Sequence, residues 1–164
     1  MAAGALAGVA LLLAGPSGRS AEAPLVNVAG PAHGTRVAAD TQFSEKHSGA
    51  NAVDGRLEPG EGCWYSKDWT LLPCALTFEL AGEEDVRRVV LHQARWHGNM
   101  YHTRDFALET SADGKSWRRL AAGQLPDDSA AHLALDVAAR TRWLRVVVLT
   151  SYNPQQTCGL TEVE

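Results

Sequence analysis

Three cysteines are all the chain has, and none stands in a Cys-x-x-Cys pair. That argues against a zinc ribbon and against a thioredoxin-type redox site. No G-x-S-x-G occurs, no glycine-rich phosphate loop precedes a helix, and no cysteine has activating neighbours. The signatures of nucleophilic hydrolysis and nucleotide binding are therefore missing, and no enzyme is expected. Basic runs are also absent, and the net charge is −4 at pH 7. Nucleic acid is not expected as a partner, nor is general electrostatic attraction to an anionic membrane. Helical periodicity is poor. The best window, 121–139, is broken by Gly123 and Pro126, and its leucines fall two residues apart.

Only one apolar run stands out, and it opens the chain. Leu6 to Ala14 form an apolar core, a Gly-Pro-Ser break follows, and Ala21 and Ala23 make an A-x-A arrangement. This is the pattern of a signal peptide over 1–23, cleaved after Ser20 or Ala23, and too short for a membrane span. A disordered Ala/Gly-rich leader is the alternative. The remainder, 24–164, is long enough for one domain with a sizeable core. A secreted, periplasmic or extracellular protein is permitted a disulfide. Cys63 and Cys74 flank the shortest loop and are the expected pair. Cys74 with Cys158 is the rival pairing, and one cysteine is left over.

Short apolar runs alternate with turn chemistry through the rest. "ALTFEL" sets Leu76, Phe78 and Leu80 on one face, "AGEED" punctuates, and "VRRVVLHQ" is β-branched. "DFALETS" alternates, Asp113-Gly114 is the strongest hairpin signal, and "HLALDV" and "WLRVVVLT" read as two further strands. Many short strands with regular turns predict an all-β sandwich or barrel.

Aromatic residues in polar loops suggest recognition. Trp69, Trp96, Tyr101 and Tyr152 fall in such loops, with His97 beside Trp96, whereas Trp64, Trp117 and Trp143 are expected to close the core. His92, His97 and His102 recur at five-residue spacing. Zinc sites usually show shorter spacings, so a metal-dependent enzyme built on these three is the least favoured reading. Asn51 and Asp54 sit in "NAVDG", where no alternating strand leads into the Asp-Gly turn.

"NAVDG", Trp64 and Ser66, "ALTFEL", "FALETSADGKSW", "RWLRVVV" and "GLTEVE" follow one another in an order that resembles the discoidin, or coagulation factor 5/8 type C, superfamily. The closest style is that of family 32 carbohydrate-binding modules. The resemblance covers about Val26 to Glu164. It implies a galactose-binding-like jelly-roll β-sandwich that binds sugars, lipids or proteins through loops at one end, without catalysis. It further implies a structural Ca²⁺ held by the carbonyls of Asn51, Arg56 and Thr161 and the carboxylates of Asp54 and Glu162. Calcium takes six to eight such hard oxygens. The chain departs from the pattern after Arg56, where "LEPGEGCW" lacks the usual hydroxyl and Glu61 or water would substitute. The resemblance places Arg95 as the clamp on sugar hydroxyls and Asn153 in the last ligand loop.

The expected protein is thus a secreted, calcium-stabilised carbohydrate-binding module. Its ligand site would comprise Arg95, Trp96, His97, Tyr101, Tyr152, Asn153 and, at the rim, Trp69. An adhesion module for protein or lipid on the same fold is the alternative, motivated by "DWTLLPC". The chain stops soon after a strand-like run, as a module appended to a larger enzyme or adhesin would.

Overall fold

Period-two burial builds the strands, because alternate side chains of a strand face opposite sides. In the computed structural model, which describes residues 24–59 and 62–164, the elements are β1 (Arg36–Ala39), β2 (Trp64–Tyr65), β3 (Cys74–Gln93), β4 (Asp105–Ser111), β5 (Arg118–Gln124), β6 (His132–Val148) and β7 (Gly159–Val163). The leader with its cleavage points, and Glu61, lie outside the described residues. Three short 3-10 turns, Pro31–His33, Glu45–His47 and Gly49–Val53, complete the regular structure described. The strands are antiparallel in the order β2-β7-β3-β6-β4-β5, with β1 also pairing to β3. The all-β sandwich expected from the sequence is what forms.

Two expected breaks are absent. "AGEED" does not separate two strands. β3 runs through it, with extra residues accommodated by a register shift against β6 between Glu79 and Glu84. A bulge of this kind bends a strand without ending it. The halves of β3 then serve different neighbours: Leu76–Glu79 pair with β1, and Leu91–Gln93 pair with β7. "HLALDV" and "WLRVVVLT" are likewise parts of one strand, β6. The acidic residues 83–85 accordingly lie within β3, where Glu83 accepts a hydrogen bond from Arg140 Nε at 2.8 Å.

Leu76, Phe78, Leu91, Phe106, Leu108, Leu125, Val146 and Leu160 fill the core with essentially no exposure. Burying each such side chain contributes roughly 1.5–3 kcal/mol. Trp64 joins them, its Nε1–H donating to the Thr41 carbonyl at 2.8 Å. Trp117 and Trp143 do not. Both are half-buried, with the Arg145 guanidinium 4.2 Å from the Trp117 ring centroid.

The Cys63–Cys74 pairing is also not formed. Both thiols are free and buried, but β2 leads Cys63 into a small cluster with Tyr65, Ala94 and Tyr101, while Cys74 opens β3 in the main core. Proximity in sequence does not bring the sulfurs together, because the strands that follow each cysteine have different partners. Cys74 Sγ instead meets Cys158 Sγ at 3.5 Å.

Candidate functional site

β3 delivers Arg95, Trp96 and His97 where the chain leaves the sheet. His97 and Gly98 both take positive φ, 54° and 62°. This left-handed pair reverses the backbone just after Trp96, a conformation that histidine tolerates better than most residues. Trp96 lies on a bed of rings. It stacks on His47 (centroids 5.0 Å, planes 28°), on Tyr65 (5.3 Å, 26°) and on Tyr101 (6.2 Å, 9°). His97 tilts against its ring at 3.9 Å. Tyr65 and Tyr101 are themselves 4.4 Å apart. Offset ring pairs of this kind contribute about 0.5–1.5 kcal/mol each beyond burial. The outcome is a half-buried indole held in one orientation, beside an exposed imidazole.

Arg95 is fixed from the other side. Its Nη1 donates to the Leu57 carbonyl at 2.6 Å, which ties β3 to the loop after "NAVDG". Arg95 Nε and His47 Nδ1 are buried without a hydrogen-bond partner among the described residues. Buried polar atoms in that state are rare and usually mark an unfilled demand.

Other expected ligand residues are placed differently. Tyr101 is only 3 % exposed and lies beneath Trp96, with its hydroxyl pushed above the ordinary range by burial and by nearby Asp68. It supports the platform instead of touching a ligand. The Asn153 side chain is used within the protein, its Nδ2 donating to the Met100 carbonyl and Thr157 Oγ1 and its Oδ1 accepting from the Gln155 amide. Tyr152 donates its hydroxyl to the Leu125 carbonyl at 2.9 Å. Asn153 thus braces the last loop against the loop that follows β3, and Tyr152 braces it against the segment that follows β5. Trp69 is 71 % exposed and adopts φ 58°. Leu71, in the same loop, is 87 % exposed, and Phe43 is also exposed. His47 was not singled out from sequence, and Tyr65 stood out only as one of the aromatics of "CWYSKDW". No local pattern marks them, because their contacts join residues 47, 65, 96 and 101 across the fold.

The three histidines do not converge. His92 Nε2 meets Glu164 Oε1 at 2.8 Å, His102 bridges Asp127 (Nδ1, 2.7 Å) and Ser129 (Nε2, 3.0 Å), and His97 sits against Trp96. Among the described residues no group of three or more His, Cys, Asp or Glu side chains is gathered to hold a metal.

The "NAVDG" turn is closed by β7. The Gly55 amide donates to Glu162 Oε1 at 3.2 Å, and the Arg56 amide to Asp54 Oδ1 at 2.9 Å. Asn51 turns its Nδ2 to the Lys46 carbonyl. Glu162 is 2 % exposed, and its Oε2 has no hydrogen-bond partner among the described residues. Burial, with help from the Asp54 charge, pushes its carboxyl up to about 7. Thr161 donates its hydroxyl to the Gln93 carbonyl, which anchors the second half of the turn in the sheet. A buried carboxylate oxygen without a donor, beside a second carboxylate and a curled backbone, fits a hard cation.

The family model of the F5/8 type C domain matches residues 36–163. No curated protein matches the chain. Among solved structures, CpGH89CBM32-5 from Clostridium perfringens, in complex with GalNAc-β-1,3-galactose, is 18% identical, with a TM-score of 0.68 over 81% of this chain and 95% of that one. The family 32 module of NanJ from C. perfringens, in complex with galactose, is 14% identical, with a TM-score of 0.65 over 79% and 90%. Chitosan-binding module 1 from a chitosanase/glucanase of Paenibacillus sp. IK-5 is 18% identical, with a TM-score of 0.69 over 85% and 98%. Likeness at this level is one of fold: the galactose-binding-like sandwich.

Proposed function

The chain belongs to the F5/8 type C domain family, and from that premise we propose that it is a secreted, non-catalytic carbohydrate-binding module with one structural Ca²⁺. The observation that carries this reading is the Trp96 platform, a half-buried indole stacked on His47, Tyr65 and Tyr101 and flanked by Arg95 and His97. A sugar ring presents a flat face of C–H groups to an aromatic plane and hydroxyls at its edge. Trp96 supplies the plane, and because its orientation is already fixed, little side-chain entropy is lost on binding. Arg95, held by its Nη1 bond to Leu57, offers the remaining Nη hydrogens of its planar guanidinium to a hydroxyl, and His97 a further polar edge. No bond is made or broken at this site. Similar modules hold galactose and GalNAc-β-1,3-galactose, so glycans ending in galactose or N-acetylgalactosamine are the first ligands to try. A glycan array probed with the full chain, followed by titration calorimetry on the best hit, tests the reading.

The cation belongs to the "NAVDG"–β7 turn. Asp54 and Glu162 would hold it, with the carbonyls of Asn51, Arg56 and Thr161. When bound, it supplies positive charge that lets Glu162 ionise in a buried place. The protein's own part is to present two carboxylates on a turn that Gly55 and Glu162 already close.

A second reading, adhesion to lipid or protein, is favoured by one observation. Trp69 and Leu71 stand 71 % and 87 % exposed in one loop. Exposed large apolar side chains of this kind mark interaction surfaces when they cluster. Co-sedimentation with phosphatidylserine vesicles decides. A glycan binder stays in the supernatant, and a Trp69→Ala-sensitive pellet supports adhesion.

A further inference from the structure

We propose that Cys74 and Cys158 form an intramolecular disulfide under oxidising conditions, while Cys63 stays a thiol. The sulfurs of Cys74 and Cys158 are already in contact at 3.5 Å. The two residues are held there independently. Cys74 begins β3 and is paired with Val148 of β6. Cys158 is clamped to Ser66 on both sides, its amide donating to Ser66 Oγ at 3.0 Å and its carbonyl accepting from the Ser66 amide at 2.8 Å. Neither position depends on a floppy loop. A disulfide needs sulfurs about 2.05 Å apart, and bond formation draws this contact pair the rest of the way together. Cys63 has other company. Its sulfur lies 3.3 Å from Thr161 Oγ1, in the small aromatic cluster.

The chemistry balances as thiol–disulfide exchange with a small-molecule disulfide donor. One thiolate attacks the donor's S–S bond, giving a mixed disulfide and one released donor thiol. The second cysteine, losing its proton, attacks the protein-side sulfur and releases the second donor thiol. The protein loses two hydrogens, and the donor is reduced to two thiols.

Burial fixes when this happens. Cys74 and Cys158 are 3 % and 0 % exposed. The Cys74 hydrogen bond and burial hold the Cys158 thiol well above its ordinary range. The attacking thiolate is therefore scarce once the core has closed. Exchange belongs to folding, and the folded protein resists both oxidant and reductant. The bond would join the base of the loop carrying Trp69 and Leu71 to the base of the loop carrying Tyr152 and Asn153. It closes a loop with a sequence separation of 84 residues, which constrains the unfolded chain strongly.

The test is to refold the full chain from denaturant in a reduced/oxidised glutathione buffer, then to alkylate under denaturing conditions and map non-reduced peptides. The expected result is a protein lighter by two hydrogens, a linked Cys74–Cys158 peptide pair, and alkylation at Cys63 alone. Cys63→Ser keeps the link. Cys74→Ala and Cys158→Ala each remove it and lower the melting temperature of the refolded protein by about 10 °C. Should either variant fail to fold, the wild-type map still decides. Three alkylated cysteines in refolded protein, or a link through Cys63, overturns the proposal.

Discussion

Glu162 is the residue whose environment speaks most plainly. Its carboxyl is raised from 4.5 to about 7, chiefly by burial. In the window between those values the folded state holds a proton that the unfolded state has lost. Stability in a chelator therefore falls as pH rises from about 4.5 to about 7 and levels off above, since stability declines wherever the native state binds more protons. A cation must displace that proton. Calcium affinity is thus expected to rise about tenfold per pH unit up to about 7. For the proposed site, calcium at a hundredfold excess over Kd is expected to add about 2.7 kcal/mol, and Glu162→Gln to remove both the gain and this pH dependence. Melting curves with EDTA or calcium at several pH values check this. Arg95→Ala frees the loop at Leu57 and lowers stability by about 1 kcal/mol. Its larger effect is a loss of sugar affinity of at least about tenfold, since a charged donor that desolvates on binding contributes roughly 1.5–3 kcal/mol. Calorimetry on a folded variant reads it. Residues of this kind were only partly legible. Motif order singles out Asp54, Glu162 and Arg95, but not the Arg56 amide, Gly55 amide and Leu57 carbonyl that they meet. Tyr101 was misjudged because an aromatic in a polar loop looks exposed, whereas here it lies under Trp96.

At the scale of elements, the platform depends on how β2 seats against β7. Trp64 pairs with Leu160 and Tyr65 with Gly159. A Cβ at residue 159 would stand 2.5 Å from the Trp64 carbonyl and 2.6 Å from the Tyr65 ring. Gly159→Ala must therefore push β2 away and tilt Tyr65 under Trp96. We expect a loss of about 1–3 kcal/mol, as for other overpacked sites, together with weaker sugar binding. Urea unfolding and calorimetry on the same variant measure the two effects. The strands themselves were legible from period-two patterning, and the Asp113-Gly114 hairpin between β4 and β5 forms where expected. What could not be read was continuity. A Gly-containing acidic stretch looks like a turn in isolation. In the fold it is a register shift inside β3, because β1, β6 and β7 hold the two halves of the strand in place.

For the whole molecule, the ordered motifs made the sandwich legible although each motif alone is weak, and the family match over residues 36–163 agrees. The Cys74–Cys158 contact was readable only as the rival to Cys63 with Cys74, because loop-closure entropy counts residues along the chain and knows nothing of which sheet neighbours carry them apart. The loops carrying Trp96 and Tyr101 were legible but not the tiered cluster, since His47, Tyr65, Trp96 and Tyr101 meet only after folding. The claim that unites these observations is that this rigid indole is where a sugar is held. Titration calorimetry of wild-type protein and Trp96→Ala against the strongest glycan-array ligand, with circular dichroism on both, tests it most directly. The expected result is a folded variant, less stable by about 1–2 kcal/mol from lost ring contacts, with sugar binding abolished. An array without a ligand for the wild type, or a Trp96→Ala protein that binds as well as the wild type, would contradict it.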